Sequence, residues 1–150
     1  MTRVLAIDFG SRRIGLAISD PSGTIASPLR VLERGADHAS DHAAIVRVAR
    51  ELDVDRVVVG WPRSLSGREG PAALAVREEV VELEAAAGPS LRVDLHDERF
   101  STVTAARHLR DARPKRGKRA PRTRENVDAA AAAVFLQSYL DASTTRSETP

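Results

Sequence analysis

Acidic residues stand at three points of the sequence where they could support chemistry. Asp8 ends an apolar run and precedes a glycine-punctuated basic turn; the pair Asp97-Glu98 follows another apolar run, and Asp128 begins an alanine-rich one. Clustered carboxylates repel one another unless a cation lies between them, and oxygen ligands favour Mg²⁺ or Mn²⁺ over zinc. Two such ions can support hydrolysis of a phosphodiester, provided that the fold brings the acids together.

Each of these acids also has a structural interpretation when taken alone. Asp8 resembles an ordinary turn aspartate, and the Asp97-Glu98 pair could be loop charges balanced by Arg99. Asp128, at the start of a helical run, could simply complement the helix dipole. The chemical interpretation therefore depends on convergence of the three acids, which only the fold can provide.

The hydrophobic pattern predicts five strands and four helices in the order βββαβαβαα. The predicted strands cover residues 3–8, 14–19, 24–33, 56–60 and 91–95. The predicted helices lie around 45–52, from Pro71 to Gly88, over 102–113 and over 127–140. Asp37, Ser40 or Asp41 could cap the first helix, and Pro28 suggests an edge strand or a bulge.

This order predicts an α/β fold with a mixed five-stranded sheet, an antiparallel meander followed by βαβ units, flanked by helices. Ligands gather beyond the carboxyl ends of parallel strands. Strands one and five can be near neighbours in such a sheet. We therefore expect Asp8, the Asp97-Glu98 pair and Asp128 to meet at that edge.

Length and composition indicate a single domain. The chain has 150 residues, of which 42% are hydrophobic, so residues 1–140 can form one domain, and the polar residues 141–150 are expected to be a disordered tail. Cysteine is absent, the first strand leaves no room for a signal peptide, and no apolar run approaches the roughly 20 residues of a membrane span. These features predict a cytoplasmic protein without membrane contact.

Basic charge is concentrated in one segment of the chain. Nine Lys/Arg residues and one acid lie between Arg107 and Arg124, on a chain whose net charge is only +2. The rest of the chain is therefore acidic. A cationic segment of this kind neutralises phosphates by counterion release, so we expect a nucleic-acid partner.

Two further features have both a functional and a structural interpretation. The loop from Gly60 to Gly70 combines glycines, hydroxyls and arginines ahead of a helix N-terminus, which suits a phosphate but also an ordinary connection. Its Trp61 could stack on a base or pack in the core. His38 and His42 are spaced for zinc on one helix face, but no third ligand is evident.

Four blocks of the sequence carry a family signature, and the third is the most specific. They are Asp8-Phe9-Gly10 through Ile14-Gly15-Leu16-Ala17; Val59-Gly60 with Pro62 and Gly67; Leu95-His96-Asp97-Glu98-Arg99 with Ser101-Thr102; and Val127-Asp128-Ala129-Ala130-Ala131. With these blocks the chain resembles the YqgF/RuvX family. These are bacterial Holliday-junction-resolvase-like nucleases, also described as pre-16S rRNA nucleases.

The resemblance implies an RNase H-like fold and a nuclease that depends on Mg²⁺ or Mn²⁺. Asp8, Glu98 and Asp128 match the acidic triad of the family and would be both catalytic residues and metal ligands. The implied function is processing of the 5′ end of precursor small-subunit rRNA in ribosome biogenesis. Resolution of Holliday junctions in DNA recombination and repair is the alternative, and the motifs do not distinguish RNA from DNA.

Ten basic residues are candidates for contact with the nucleic-acid backbone. They are Arg12, Arg13, Arg63, Arg68, Arg99, Lys115, Arg116, Lys118, Arg119 and Arg124. The chain departs from the family pattern where Ser66 replaces an acid and Asn126 replaces a lysine. These departures affect expected substrate contacts more than the triad.

Two other classes of protein fit part of the pattern. An actin-like phosphotransferase also opens with an acid-glycine hairpin, but it clamps nucleotide between two lobes, and 150 residues supply about one domain. A nucleic-acid binding module without catalysis would explain the basic segment but not the three acids. The sequence leaves open whether the protein is a monomer or a homodimer.

Overall fold

The computed structural model describes residues 3–62, 70–97 and 124–147. The predicted helix over 102–113 lies outside these ranges. The strands are β1 (Arg3–Phe9), β2 (Arg13–Ser19), β3 (Ala26–Glu33), β4 (Val54–Trp61) and β5 (Arg92–Asp97). The helices are α1 (His38–Glu51), α2 (Pro71–Ala87) and α3 (Arg124–Ser147).

The strands form one mixed sheet in the order β3-β2-β1-β4-β5. The first three strands are antiparallel neighbours, whereas β1, β4 and β5 run parallel to one another. The predicted mixed five-stranded sheet is confirmed. Strands β1 and β5 are near but not adjacent, because the crossover through α1 places β4 beside β1 and the crossover through α2 adds β5 outside β4.

The sheet has a helical layer on each face. Leu5 and Ile7 of β1 pack in the larger core with α1 and α2, whereas Ala6 packs on the other face with Phe135 and Leu136 of α3. This alternation follows from the twofold periodicity of a strand. Small side chains on the α3 side allow that helix to approach the sheet closely.

Local sequence signals account for several element boundaries. Asp37 is the N-cap of α1, with its Oδ1 accepting a hydrogen bond from the Ser40 amide at 2.8 Å. Pro71 opens α2, and Gly88 ends it with a φ of 73°. Pro28 lies on the edge strand β3 beside a register shift, as its inability to donate a hydrogen bond requires.

The last helix is longer than the sequence pattern predicts. It continues into the residues expected to be disordered, as far as Ser147 instead of residue 140. The hydrogen bond from Gln137 to Asp141 at 3.1 Å, one turn apart, stabilises this extension, and Ser143 donates to the Tyr139 carbonyl at 2.9 Å. Within the described ranges, no helix has the length and apolarity needed to cross a membrane.

Candidate active site

The three parallel strands end at the same edge of the sheet. Ile7 of β1 pairs with Val59 of β4, and Trp61 at the end of β4 pairs with Asp97 at the end of β5. Asp8 and Asp97 therefore lie at the carboxyl edge, with β4 between their strands. Two strand spacings separate the backbones by about 10 Å.

Asp8 is brought next to Asp128 through a glycine. Asp8 pairs directly with Gly15 across the β1–β2 ladder. A Cβ on Gly15 would lie 2.3 Å from the Asp128 carbonyl oxygen, closer than a real Cβ atom comes to a backbone atom. The absence of a side chain at Gly15 thus lets the first turns of α3 rest on the sheet beside Asp8.

The side chain of Asp8 belongs to the face of the sheet that α3 covers. Directly opposed residues of an antiparallel pair point to the same side, and residues two apart along a strand share a face. Ala6 and its partner Ala17 pack against α3, which places Asp8 and Gly15 on that side too. Asp8, under α3, and Asp128, within α3, are both half-buried, so both remain accessible to solvent.

The turn after Asp8 is tight and basic. The Gly10 amide donates to the Arg13 carbonyl at 2.9 Å, and a Cβ on Gly10 would lie only 2.6 Å from that oxygen. This closure requires glycine and holds the start of β2 against the end of β1. Arg12 is exposed in the turn and Arg13 is half-buried at the start of β2, so both predicted phosphate contacts lie near Asp8.

Several predicted site residues lie outside the described part of the chain. They are Glu98, Arg63, Arg68, Arg99, Lys115, Arg116, Lys118 and Arg119. Arg124 is the first residue of α3. Across residues 3–62, 70–97 and 124–147, no three His, Asp or Glu side chains form a metal-binding group. The triad therefore remains a prediction, whereas the structure shows the Asp128 backbone against Gly15, the residue opposite Asp8.

Trp61 packs against the hydrophobic core. Its indole Nε1 donates to the Ala73 carbonyl in the first turn of α2 at 3.1 Å, and the ring packs on the α1/α2 core. The Arg77 guanidinium covers the ring at 4.9 Å from its centroid. These contacts favour the packing interpretation over stacking on a base.

A buried polar cluster on the other face was not predicted from the sequence. Arg34, just after β3, bonds to Glu79 of α2, to Asp41 of α1 and to the Gly10 carbonyl. His42 Nε2 lies 3.0 Å from a Glu79 carboxylate oxygen. The sequence does carry one indication of this cluster, because two polar residues fall on the buried faces of their helices. Glu79 precedes Val80 in α2, and His42 lies three residues before Ile45 in α1.

The charges in this cluster stabilise one another. Burial acts to raise the pKa of Glu79, but hydrogen bonds from Arg34 and His42 outweigh it and hold that pKa below its ordinary value. The hydrogen bond to Glu79 in turn raises the pKa of Arg34. Because an ionised carboxylate only accepts, the His42 Nε2 atom carries the proton of their hydrogen bond.

Comparison with known proteins places this chain in a family. The profile of the RuvX family, described as Holliday junction resolvase, matches residues 2–142. The chain belongs to the RuvX family. A relative from Nocardioides sp. is 49% identical over 91% of this chain and 86% of its own length. One from Thermobifida fusca is 46% identical over the same shares, and both relatives carry the name of candidate pre-16S rRNA nucleases.

The structural comparison agrees with membership of the RuvX family. The RuvC of T. thermophilus in complex with a Holliday junction substrate covers 97% of each chain, with a TM-score of 0.57 and 21% identity. A second structure of Thermus thermophilus RuvC gives a TM-score of 0.53, again at 21% identity. This RuvX member therefore has the RuvC-like, RNase H-like fold that its sequence blocks implied.

Proposed function

We propose that this RuvX protein is a divalent-metal-dependent nuclease that processes the 5′ end of precursor small-subunit rRNA. The observation that carries the proposal is that Asp8 pairs with Gly15 in the sheet while the Asp128 backbone lies where a Gly15 Cβ would stand. Two acids from distant parts of the chain lie against one glycine at the carboxyl edge of the parallel strands. This is the part of an α/β sheet where ligands bind.

The donor set fits a hard divalent cation. Asp8 and Asp128 offer carboxylate oxygens, which Mg²⁺ and Mn²⁺ prefer and which zinc sites seldom use alone. Glu98, which follows Asp97 at the end of β5 in the sequence, is the proposed third ligand. Cations bound by these carboxylates would supply positive charge for activating water and for stabilising the leaving oxygen.

The basic residues are proposed to hold the nucleic-acid backbone in register with the acids. Arg12, exposed in the turn after Asp8, and Arg13, at the start of β2, would contact phosphates near the cleaved bond. Arg63, Arg68, Arg99, Arg124 and the basic segment would extend this contact. Guanidinium groups suit the role because they bind phosphate with two parallel hydrogen bonds.

The RNA substrate is inferred from relatives. Proteins 49% and 46% identical to this chain are named as candidate pre-16S rRNA nucleases, and this chain covers 86% of each. Action on an rRNA precursor would place the protein in the cytoplasm. A monomer suffices for cleavage of one strand, whereas symmetric cleavage of a branched substrate would require a homodimer.

Branched DNA is the second candidate substrate. The description of the RuvX family is Holliday junction resolvase, which is the specific observation in its favour. The two candidates share the acidic site and differ only in the nucleic acid held beside it. Cleavage of a matched set of substrates therefore separates them.

The test is cleavage of four labelled substrates with Mg²⁺, with Mn²⁺ and with chelator. The set contains a precursor 16S rRNA fragment, unrelated single-stranded RNA, a four-way DNA junction and plain duplex DNA. Metal-dependent cleavage of the precursor at its 5′ end supports the proposal. Selective cleavage of the junction would replace the substrate, and binding without cleavage of any substrate would favour a binding module.

A further inference from the structure

The turn that follows Asp8 is held from the side of the sheet opposite α3. Arg34 Nε donates to the Gly10 carbonyl at 3.0 Å, and Nη2 donates to the same oxygen at 2.9 Å. The Arg34 backbone also donates to the Arg12 carbonyl at 3.0 Å. One residue outside the hairpin thus fixes two carbonyls of the turn, the first of them two residues beyond Asp8.

The Arg34 side chain is itself immobilised. Its guanidinium makes a two-pronged contact with Glu79, through Nη1 to Oε1 and through Nη2 to Oε2 at 2.9 Å, and Nη1 also reaches Asp41 Oδ2 at 3.3 Å. With the two bonds to Gly10, all five N–H donors of the guanidinium have an acceptor. The Phe9 ring lies 5.3 Å from its central carbon, on the same strand as Asp8.

The residues that anchor Arg34 are fixed by the α1/α2 layer. Asp41 accepts a hydrogen bond from the Gly35 amide at 2.7 Å, and His42 contacts Glu79 at 3.0 Å. The side chains of Asp41 and Glu79 are each only 5% exposed. Among the described residues, four polar or charged residues are buried, and Asp41, His42 and Glu79 are three of them.

A buried ion pair gives little stability beyond what apolar residues of the same volume would give. Apolar residues of similar volume commonly replace a buried ion pair at no loss of stability, and apolar side chains fill the surrounding core. The Arg34 guanidinium donates two directional hydrogen bonds to the Gly10 carbonyl, which an apolar side chain could not do. Catalytic groups need placement within about 0.5 Å, and such placement depends on supporting hydrogen bonds.

We propose that Arg34 is a positioning residue for Asp8: anchored by Glu79 and Asp41, it fixes the Gly10 carbonyl and thereby the end of β1 from which Asp8 reaches the metal ions. This inference rests on the proposed nuclease function of Asp8. Lysine at position 34 would keep the charge but lose the planar fork, since the three N–H donors of an ammonium group radiate from one nitrogen and cannot reach Gly10, Glu79 and Asp41 in this arrangement. The geometry of the guanidinium, and not its charge, is the required property.

The experiment compares R34K with V80A in the full-length protein. Val80 is buried beside Glu79 in α2 and its apolar side chain makes no hydrogen bond, so V80A lowers stability without removing a hydrogen bond from Gly10. In R34K we expect kcat on the precursor rRNA to fall at least about tenfold and the Mg²⁺ concentration for half-maximal rate to rise. RNA affinity measured without metal should stay unchanged, and V80A should show none of these shifts.

A second readout does not need activity. The Gly10 amide bonds to the Arg13 carbonyl, so its hydrogen exchange, measured by NMR, reports opening of the turn. R34K should accelerate that exchange more than V80A does. E79Q keeps Arg34 but weakens its contact with α2, so it should accelerate Gly10 exchange less than R34K does. If R34K does not fold, E79Q replaces it in this measurement.

The outcomes separate this inference from the nuclease proposal. Wild-type rate, metal requirement and Gly10 exchange in R34K would overturn the positioning role, as would effects no larger than those of V80A. If the wild type itself cleaves nothing, the nuclease proposal is wrong, and the Gly10 exchange still decides whether Arg34 holds the turn. Fast exchange with normal activity would mean that Arg34 stabilises the hairpin without positioning Asp8.

Discussion

Asp8 lies directly opposite Gly15 in the β1–β2 ladder, and Gly15 has the Asp128 backbone against the position where its Cβ would stand. Residues from the first strand and the last helix, more than a hundred positions apart, therefore share one contact point. The fold needs a residue without a side chain there, since any Cβ would displace α3. The hairpin thus both carries one acid and makes room for the other.

The first prediction concerns the space at Gly15. The substitution G15A places a methyl group 2.3 Å from a backbone oxygen, so α3 must shift. We expect a loss of about 1–3 kcal/mol in unfolding free energy and a larger loss of cleavage, because Asp128 moves with the helix. Chemical denaturation and rate measurements check this.

Gly70 offers the control for that prediction. Among the described residues, a Cβ on Gly70 meets nothing within 4 Å, so G70A adds the same methyl group without a clash there. Because Gly70 is the N-cap of α2 and alanine is a poorer cap than glycine, G70A should cost about 0.5–1 kcal/mol, less than G15A. Equal losses in the two variants would show that α3 does not depend on the missing side chain at Gly15.

The second prediction is a pH dependence at Glu79. Its pKa is lower in the folded protein than its ordinary value of 4.5, so its ionised form stabilises the native state. That contribution is complete above pH 4.5 and is lost as the pH falls through the lowered native pKa. E79Q should therefore cost about 1–3 kcal/mol at neutral pH, and the difference from wild type should shrink below pH 4.5.

Urea denaturation at a series of pH values checks the Glu79 prediction. E78Q makes the same change of charge at the neighbouring exposed position of α2 and is the matched control. It should leave stability nearly unchanged over the whole range. A difference between wild type and E79Q that does not vary with pH would contradict the account of the buried cluster.

The third prediction concerns the basic segment, whose structure lies outside the described residues. Charge reversal at Arg116 and Arg119 should weaken RNA binding and flatten its salt dependence, by about 0.7 in the logarithmic slope for each lost phosphate contact. Reversal of Arg47 and Arg50, exposed on α1 across the sheet from α3, makes the same change in net charge. Equal slopes in the two double variants would remove the segment from the interface.

The fourth prediction concerns Trp61, the single tryptophan of the chain. W61F removes the hydrogen bond to the Ala73 carbonyl and should cost about 1 kcal/mol of stability. RNA affinity should be unchanged, because the ring packs in the core and under Arg77. A loss of binding near the 1–3 kcal/mol typical of a stacked base would restore the nucleic-acid role.

The sequence predicts most of the fold because its strongest patterns are local. The continuous apolar run Val57-Val58-Val59 predicts a strand buried on both faces, and all three side chains are fully buried. The position of β5 outside β4 has no such local signal, because strand order depends on the path of each crossover. The extension of α3 to Ser147 was missed since a hydrogen bond between polar side chains, from Gln137 to Asp141, stabilises the helix there.

The candidate site was predicted in part for the same reason. The acids Asp8 and Asp128 follow recognisable patterns, and the structure brings them to one glycine. Arg34 was missed because it follows a strand without any motif, and its partner Glu79 is 45 positions away. Tertiary contacts determine the role of such a residue. A charged residue on the buried face of a helix, such as Glu79, still indicates that a buried partner must exist.

Single-turnover cleavage of a precursor 16S rRNA fragment by wild type and D8N, with saturating Mg²⁺ or Mn²⁺, decides whether Asp8 is a metal-binding catalytic residue. Asparagine keeps the size of Asp8 and removes its charge, so folding and RNA binding should be retained. We expect metal-dependent cleavage by wild type and its loss in D8N, with RNA affinity nearly unchanged. Full activity of D8N would contradict the assignment of Asp8 as a metal-binding catalytic residue.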